Sequence, residues 1–134
     1  MNYLIDTHIL LWYYAGSDKL PPYMEYIISR KENVYVSIVS LWEIAIKMSL
    51  GKLVIDSDNY DGAGDFEEIR SLCLEKGFKI LDIDEEHLKF IINMPFIHKD
   101  PFDRMILAQS VVEGMYFLTR DQYLKQYPYD NIIC

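Results

Sequence analysis

The chain has 134 residues, 51% of them hydrophobic, and a formal net charge of −8 from 21 acidic and 13 basic side chains. This composition predicts a single globular domain over residues 1–134 and argues against a passive nucleic-acid-binding module, since phosphate contacts require basic side chains. A membrane span of ~20 apolar residues and a signal peptide are both missing, and two cysteines make no disulfide framework, so we expect a cytoplasmic protein.

The opening segment joins an apolar run to a polar end. Residues 3–5 are apolar and are followed by Asp6 and Thr7, after which a helical pattern covers residues 7–15. This is typical of a buried parallel strand that leads into a helix. Ligands bind at the carboxyl ends of strands in open α/β sheets, so Asp6 is a candidate site residue. The alternative is that Asp6 serves as the N-cap of the helix.

A second helix is predicted over residues 22–30, a strand over 34–36, and a third helix over 38–50. The third helix is apolar on most sides and places Glu43 and Lys47 on one narrow polar stripe. A helix of this kind is buried, and a carboxylate on it needs a partner or a wet cleft. A surface pair of Glu43 with Lys47 is the alternative, worth only ~0.2–0.5 kcal/mol when exposed.

Residues 56–65 are polar and rich in glycine, which predicts a surface loop. A helix over residues 66–76 and a strand over 79–83 follow, and Asp84 is the predicted N-cap of a helix that extends to residue 93. The alternation of strands and helices therefore continues through the middle of the chain.

The segment from His98 to Ser110 contains a strong helix start. Asp100 is the predicted N-cap, Pro101 the first helical residue and Asp103 the third. An acid in a first turn is favoured by the helix dipole alone, which is the alternative to a functional role for Asp103. A strand over residues 115–118 then ends in Thr119, Arg120 and Asp121, and a short helix (122–127) and a last strand (131–133) follow.

These elements predict an α/β fold, a three-layer α/β/α sandwich with a mainly parallel sheet of four to five strands. Asp6 and Asp121 then follow strands that end at one edge of the sheet, and helices entered from that edge bring Glu43 and Asp103 to it. Four converging carboxylates repel one another unless cations are bound. Carboxylate oxygens suit Mg²⁺ or Mn²⁺, and two such ions can support phosphodiester cleavage.

Other polar side chains lie near these acids in the sequence. Lys47, Arg104 and Arg120 are candidates for contacts with substrate phosphates, and Thr7 and Thr119 for orienting a water or a carboxylate. Ordinary surface charge is the alternative for each basic residue.

His98 offers a different kind of site. With Asp100 and Asp103 it is a candidate transition-metal site, although His8 and His87 have no matching spacing. Glycine-rich nucleotide-binding motifs are missing from the sequence.

Four motifs carry a resemblance to a known family: Asp6-Thr7-His8, residues 37–47 (SIVSLWEIAIK), residues 98–109 (HKDPFDRMILAQ) and Thr119-Arg120-Asp121. Together they resemble the PIN-domain family, and more closely the VapC-type toxins of bacterial type II toxin–antitoxin systems. The resemblance covers nearly the whole chain. The polar segment 56–65 departs from the family's pattern.

The resemblance implies a Mg²⁺- or Mn²⁺-dependent endoribonuclease that acts on RNA, is commonly a homodimer, and is held inactive by a cognate VapB-like antitoxin. The family's catalytic and metal-binding acids fall on Asp6, Glu43, Asp103 and Asp121. Asp100 matches a frequent motif position and is interpreted as a helix cap. A non-catalytic PIN-like module that binds protein or RNA is the alternative. A phosphoacceptor receiver domain does not fit, because it needs paired acids after the first strand.

Overall fold

A computed structural model describes residues 1–30, 33–53, 55 and 65–134 of the chain. The predicted loop at residues 56–65 therefore lies outside the described residues except at its last position. Within the described part, a five-stranded sheet is formed by β1 (Tyr3–Ile5), β2 (Val34–Ser37), β3 (Lys79–Leu81), β4 (Tyr116–Leu118) and β5 (Ile132–Ile133).

The described helices are α1 (Thr7–Ala15), α2 (Pro22–Ser29), α3 (Ile38–Ser49), α4 (Phe66–Lys76), α5 (Glu85–Ile92) and α6 (Pro101–Val112), with a 3-10 helix at Leu124–Gln126. No helix in this part of the chain is long and apolar enough to cross a bilayer.

All five strands are parallel, in the order β3-β2-β1-β4-β5. β1 is central, and Ile5 pairs with Val36 of β2 and with Leu118 of β4. The carboxyl ends of β1 and β4 are thus level and β2 extends one residue further, so the residues that follow the three strands reach the same edge of the sheet.

Two apolar cores cover the two faces of this sheet. Ile5 and Leu118 pack into one core, and Leu4 and Phe117 pack into the other. Consecutive strand residues point to opposite faces, so each strand contributes to both cores. Each fully buried aliphatic or aromatic side chain of this size contributes ~1.5–3 kcal/mol to folding. The predicted three-layer α/β/α architecture is confirmed.

Two elements differ from the sequence-based prediction. The helix expected over residues 122–127 is a single 3-10 turn, because Pro128 disfavours helical backbone at Tyr127, which is extended. The helix α3 is not buried on all sides, since Trp42 is 56% exposed and forms an edge-to-face contact with Phe102. One face of α3 is thus buried and another lies at the surface.

His87 connects α5 to the end of α6. Its fully buried imidazole accepts a hydrogen bond at Nδ1 from the Asp84 N–H, 3.0 Å away, and its Nε2 lies 2.9 Å from Glu113 Oε2. A polar side chain at this depth requires both partners, since an unpaired buried group is costly.

We therefore expect His87→Ala to lower the free energy of unfolding by about 1–3 kcal/mol, because it leaves the partners unpaired. Lys89→Ala, on the exposed side of the same helix, is the control and should change stability by less than about 0.5 kcal/mol. Urea denaturation measures both variants. Equal midpoints for the two would show that this buried link does not stabilise the fold.

Candidate metal centre

Asp6 lies directly after β1 and is buried at the carboxyl edge of the sheet. Its Oδ1 accepts a hydrogen bond from the Thr7 N–H at 2.7 Å, and its Oδ2 accepts one from the Thr119 hydroxyl at 2.7 Å. Asp6 is therefore the N-cap of α1 and, through Thr119, is also tied to the end of β4.

Asp121 is held at the same edge by the backbone that follows it. Its Oδ1 accepts hydrogen bonds from the N–H groups of Tyr123 and Leu124 at 2.8 and 2.9 Å. The Thr119 hydroxyl oxygen accepts the Asp121 N–H at 3.1 Å. The other carboxylate oxygen, Oδ2, lies 3.3 Å from Nε2 of His98.

Glu43 comes from the buried face of α3 and is 2% exposed. Its Oε2 accepts a hydrogen bond from Lys47 Nζ at 2.8 Å, one turn along the helix. Its Oε1 is also buried but has no hydrogen-bond partner among the described residues. Glu43 therefore pairs with Lys47 but is buried, unlike the exposed surface pair considered from the sequence, and one of its carboxylate oxygens has no partner among the described residues.

Asp103 comes from the first turn of α6 and is also buried. The helix cap is supplied by Asp100, whose Oδ1 accepts the N–H groups of Phe102 and Asp103. The carboxylate of Asp103 is thus not used for capping, and its Oδ2 lies 2.9 Å from His98 Nε2.

The electrostatics of this cluster show that its acids are close and poorly solvated. Burial raises the pKa of Asp103, neighbouring carboxylates raise it further, and the pKa reaches about 9. The neighbours responsible are Asp6, Asp100, Glu43 and Asp121. Burial also raises the pKa of Asp6, although the Thr119 hydroxyl opposes that shift. Full ionisation of the cluster therefore requires added positive charge.

This donor set fits a divalent cation of the Mg²⁺ or Mn²⁺ class. Such ions take oxygen ligands, and the buried, unpartnered Oε1 of Glu43 is an oxygen that the protein itself leaves unused. Ligand atoms of His98, Asp103 and Asp121 also lie within 4.8 Å of one another. The residues present can thus hold the cation that the sequence pattern predicts.

The side chains of Thr7 and Arg104, two further candidates from the sequence, have partners other than the four acids. The Thr7 hydroxyl donates to Ser40 Oγ and not to a carboxylate. Arg104 extends away from the acids, donating to the Met94 carbonyl and lying over the Phe96 ring.

The sequence pattern grouped His98 with Asp100 and Asp103, whereas the structure joins it to Asp103 and Asp121. Asp121 was missed as a partner because it lies 23 residues along the chain, beyond the reach of local spacing. The signal available in the sequence was that Asp103 and Asp121 are both predicted to lie at the carboxyl edge of the sheet.

The raised pKa of Asp103 predicts that the metal-free protein loses stability as pH rises. Its unfolded value is 3.8, so between about pH 4 and pH 9 the folded state holds a proton that the unfolded state has released. Rising pH then favours unfolding, by up to about 1.4 kcal/mol per pH unit for one proton. Thermal melts in EDTA from pH 5 to pH 9 measure this trend.

Asp103→Asn removes this titration and should make the decline shallower, while the control Asp130→Asn, at an exposed position, should leave it unchanged. Parallel curves for all three proteins would contradict the electrostatic description of the cluster.

Comparisons with known proteins agree with this architecture. Residues 3–128 match the family model described as PIN domain. The fold is similar to VapBC2 from Rickettsia felis bound to a DNA fragment from their promoter, with a TM-score of 0.69, 15% identity, and coverage of 99% of this chain and 96% of that chain. It is also similar to a toxin–antitoxin complex from Klebsiella pneumoniae, with a TM-score of 0.64, 15% identity, and coverage of 99% and 97%. No curated protein matches the chain.

Proposed function

The chain belongs to the PIN domain family, and from that premise we propose that it is a metal-dependent endoribonuclease, a VapC-like toxin held inactive by a cognate antitoxin. The observation that carries the proposal is the convergence of buried carboxylates at one sheet edge, with Glu43 Oε1 left without a hydrogen-bond donor among the described residues. A non-catalytic binding module has no need for this electrostatically unfavourable cluster.

Mg²⁺ or Mn²⁺ would be held by the four acids that the sequence pattern singles out, Asp6, Glu43, Asp103 and Asp121. When bound, such a cation polarises a phosphodiester group and lowers the pKa of the attacking water. The protein supplies the orientation. Thr119 fixes Asp6 Oδ2, and the backbone N–H groups after Asp121 fix its Oδ1.

The proposed substrate is RNA, and basic side chains near the acids would contact its phosphates. Lys47 places its ammonium group beside Glu43, and its side chain is 40% exposed, so it can also reach a phosphate oxygen. Arg120 is exposed between Thr119 and Asp121. Arg104 is a weaker candidate, because its guanidinium group is engaged with Met94 and Phe96.

We expect the purified protein to cleave structured RNA in Mn²⁺ or Mg²⁺ and to stop in EDTA. Loss of a group that only hydrogen-bonds to a metal ligand typically costs ~10–100-fold in activity. Asp6→Asn changes a proposed ligand itself, so we expect the cleavage rate to fall by at least that factor. The amide keeps one oxygen for the Thr7 N–H, so the variant should remain folded.

Asp130→Asn is the matched control, since Asp130 is an exposed acid just before β5, away from the carboxyl edge. Cleavage that persists in EDTA, or equal rates for the two variants, would contradict the proposal, and a lack of cleavage with Mn²⁺ and Mg²⁺ would favour the non-catalytic module.

The proposed partners are a VapB-like antitoxin and a second copy of the chain in a homodimer. Both described structural neighbours are toxin–antitoxin complexes. An acidic cluster of this kind suits an antitoxin segment that carries Arg or Lys, because charge-assisted hydrogen bonds to carboxylates are strong. We propose that this segment reaches toward Asp6 and Asp103.

The antitoxin should therefore compete with the cation. Titration of Mn²⁺ into the toxin alone and into the toxin–antitoxin complex should give weaker binding in the complex, by about tenfold for each 1.4 kcal/mol of competition. RNA cleavage should fall in parallel. Unchanged Mn²⁺ affinity and unchanged cleavage in the complex would exclude inhibition at this acidic cluster.

A further inference from the structure

His98 lies between two of the site acids. Its Nε2 is 2.9 Å from Asp103 Oδ2 and 3.3 Å from Asp121 Oδ2, and its side chain is largely buried. Among the described residues, the Asp103 carboxylate has one hydrogen-bond partner, His98. The other three acids of the cluster have donors other than His98. Thr7 and Thr119 donate to Asp6, and Lys47 donates to Glu43. The backbone N–H groups after Asp121 donate to its carboxylate.

The imidazole is fixed from several sides. The His98 N–H donates to the Tyr127 hydroxyl at 3.0 Å, which anchors the backbone. The ring of Tyr123 stacks on the imidazole, with centroids 5.2 Å apart and planes 24° apart. The direction of Nε2 toward the two carboxylates is therefore set by packing.

The other ring nitrogen identifies the tautomer. Nδ1 lies 3.5 Å from the Asp100 backbone nitrogen, which donates to it, so Nδ1 is the acceptor and Nε2 carries an N–H. A histidine that binds a metal through Nε2 normally donates its Nδ1–H to an acceptor. Here Nδ1 meets a donor, and this arrangement favours a hydrogen-bonding role for Nε2 over a ligand role.

We propose that His98 is a positioning residue of the metal centre. Its Nε2–H donates to Asp103 and Asp121 when both are ionised and orients them for a divalent cation, without coordinating that cation. This inference rests on the divalent-metal site of the proposed function. It replaces the transition-metal site of His98, Asp100 and Asp103, because Nε2 of His98 faces Asp103 and Asp121, and its Nδ1 faces the Asp100 backbone N–H.

Two substitutions separate the donor at Nε2 from the rest of the side chain. In His98→Gln the amide nitrogen lies as many bonds from Cα as Nε2, so a donor is kept. In His98→Asn the amide nitrogen lies where Nδ1 was, and the donor toward the acids is lost. We expect Mn²⁺ to bind the wild type and His98→Gln within about threefold of each other, and His98→Asn about 10–100-fold more weakly.

Isothermal titration with MnCl₂ gives these affinities, and thermal melts establish that each variant is folded. Equal Mn²⁺ affinity in all three proteins would overturn the proposal, since a purely structural His98 changes only the melting temperature. Equal weakening of both variants would also overturn it, because a lost nitrogen ligand predicts that result.

Pulsed EPR of Mn²⁺ bound to the wild type tests the same point without any variant. We expect no hyperfine coupling from a directly coordinated imidazole nitrogen, and a strong coupling of that kind would overturn the proposal. Failure of the wild type to bind Mn²⁺ would overturn both this inference and the proposed metal site. If the three proteins bind Mn²⁺ with the expected relative affinities but the wild type cleaves no RNA, the role of His98 is kept and the proposed nuclease is contradicted.

Discussion

The burial of Asp6 beside Asp103 is the constraint on which the rest of this site depends. Burial disfavours the ionised form of each carboxyl group, and their mutual repulsion adds to that cost. The described hydrogen bonds to these two acids come from the Thr7 amide, the Thr119 hydroxyl and the His98 imidazole. Hydrogen bonds of this kind orient carboxylates without neutralising them, so the negative charge that would attract a cation in the proposed metal site is kept.

The sheet makes this crowding unavoidable. β1 lies at the centre, and its pairing with β4 brings Ile5 level with Leu118, so that the next residues of both strands emerge together. The hydrogen bond from Thr119 to Asp6 spans this junction. A slip of one residue would exchange the faces of Leu4 and Ile5, which belong to different cores. The packing of the two cores therefore fixes the position of Asp6.

Much of this arrangement could be predicted from local signals. Strand ends followed by acids located Asp6 and Asp121, and a helix start located Asp103. Arg104 could not be placed in the same way, because one residue along a helix turns the side chain by about 100°. The partner of His98 depends on contacts between α6 and the end of β4, which no local spacing encodes. Sequence reasoning thus placed the acids but not all the donors that orient them.

Helix capping and metal binding are not opposed explanations for these acids. Asp121 uses Oδ1 to accept backbone N–H groups and directs Oδ2 toward His98. Asp6 likewise has one oxygen on the α1 backbone and the other on Thr119. At α6 the two tasks are divided, since Asp100 takes the cap and leaves the Asp103 carboxylate for the cluster. A bond from one carboxylate oxygen to a helix start removes rotational freedom from the other oxygen. The caps would therefore reduce the ordering cost of binding a cation at the proposed metal site, which is the sense in which these acids are preorganised.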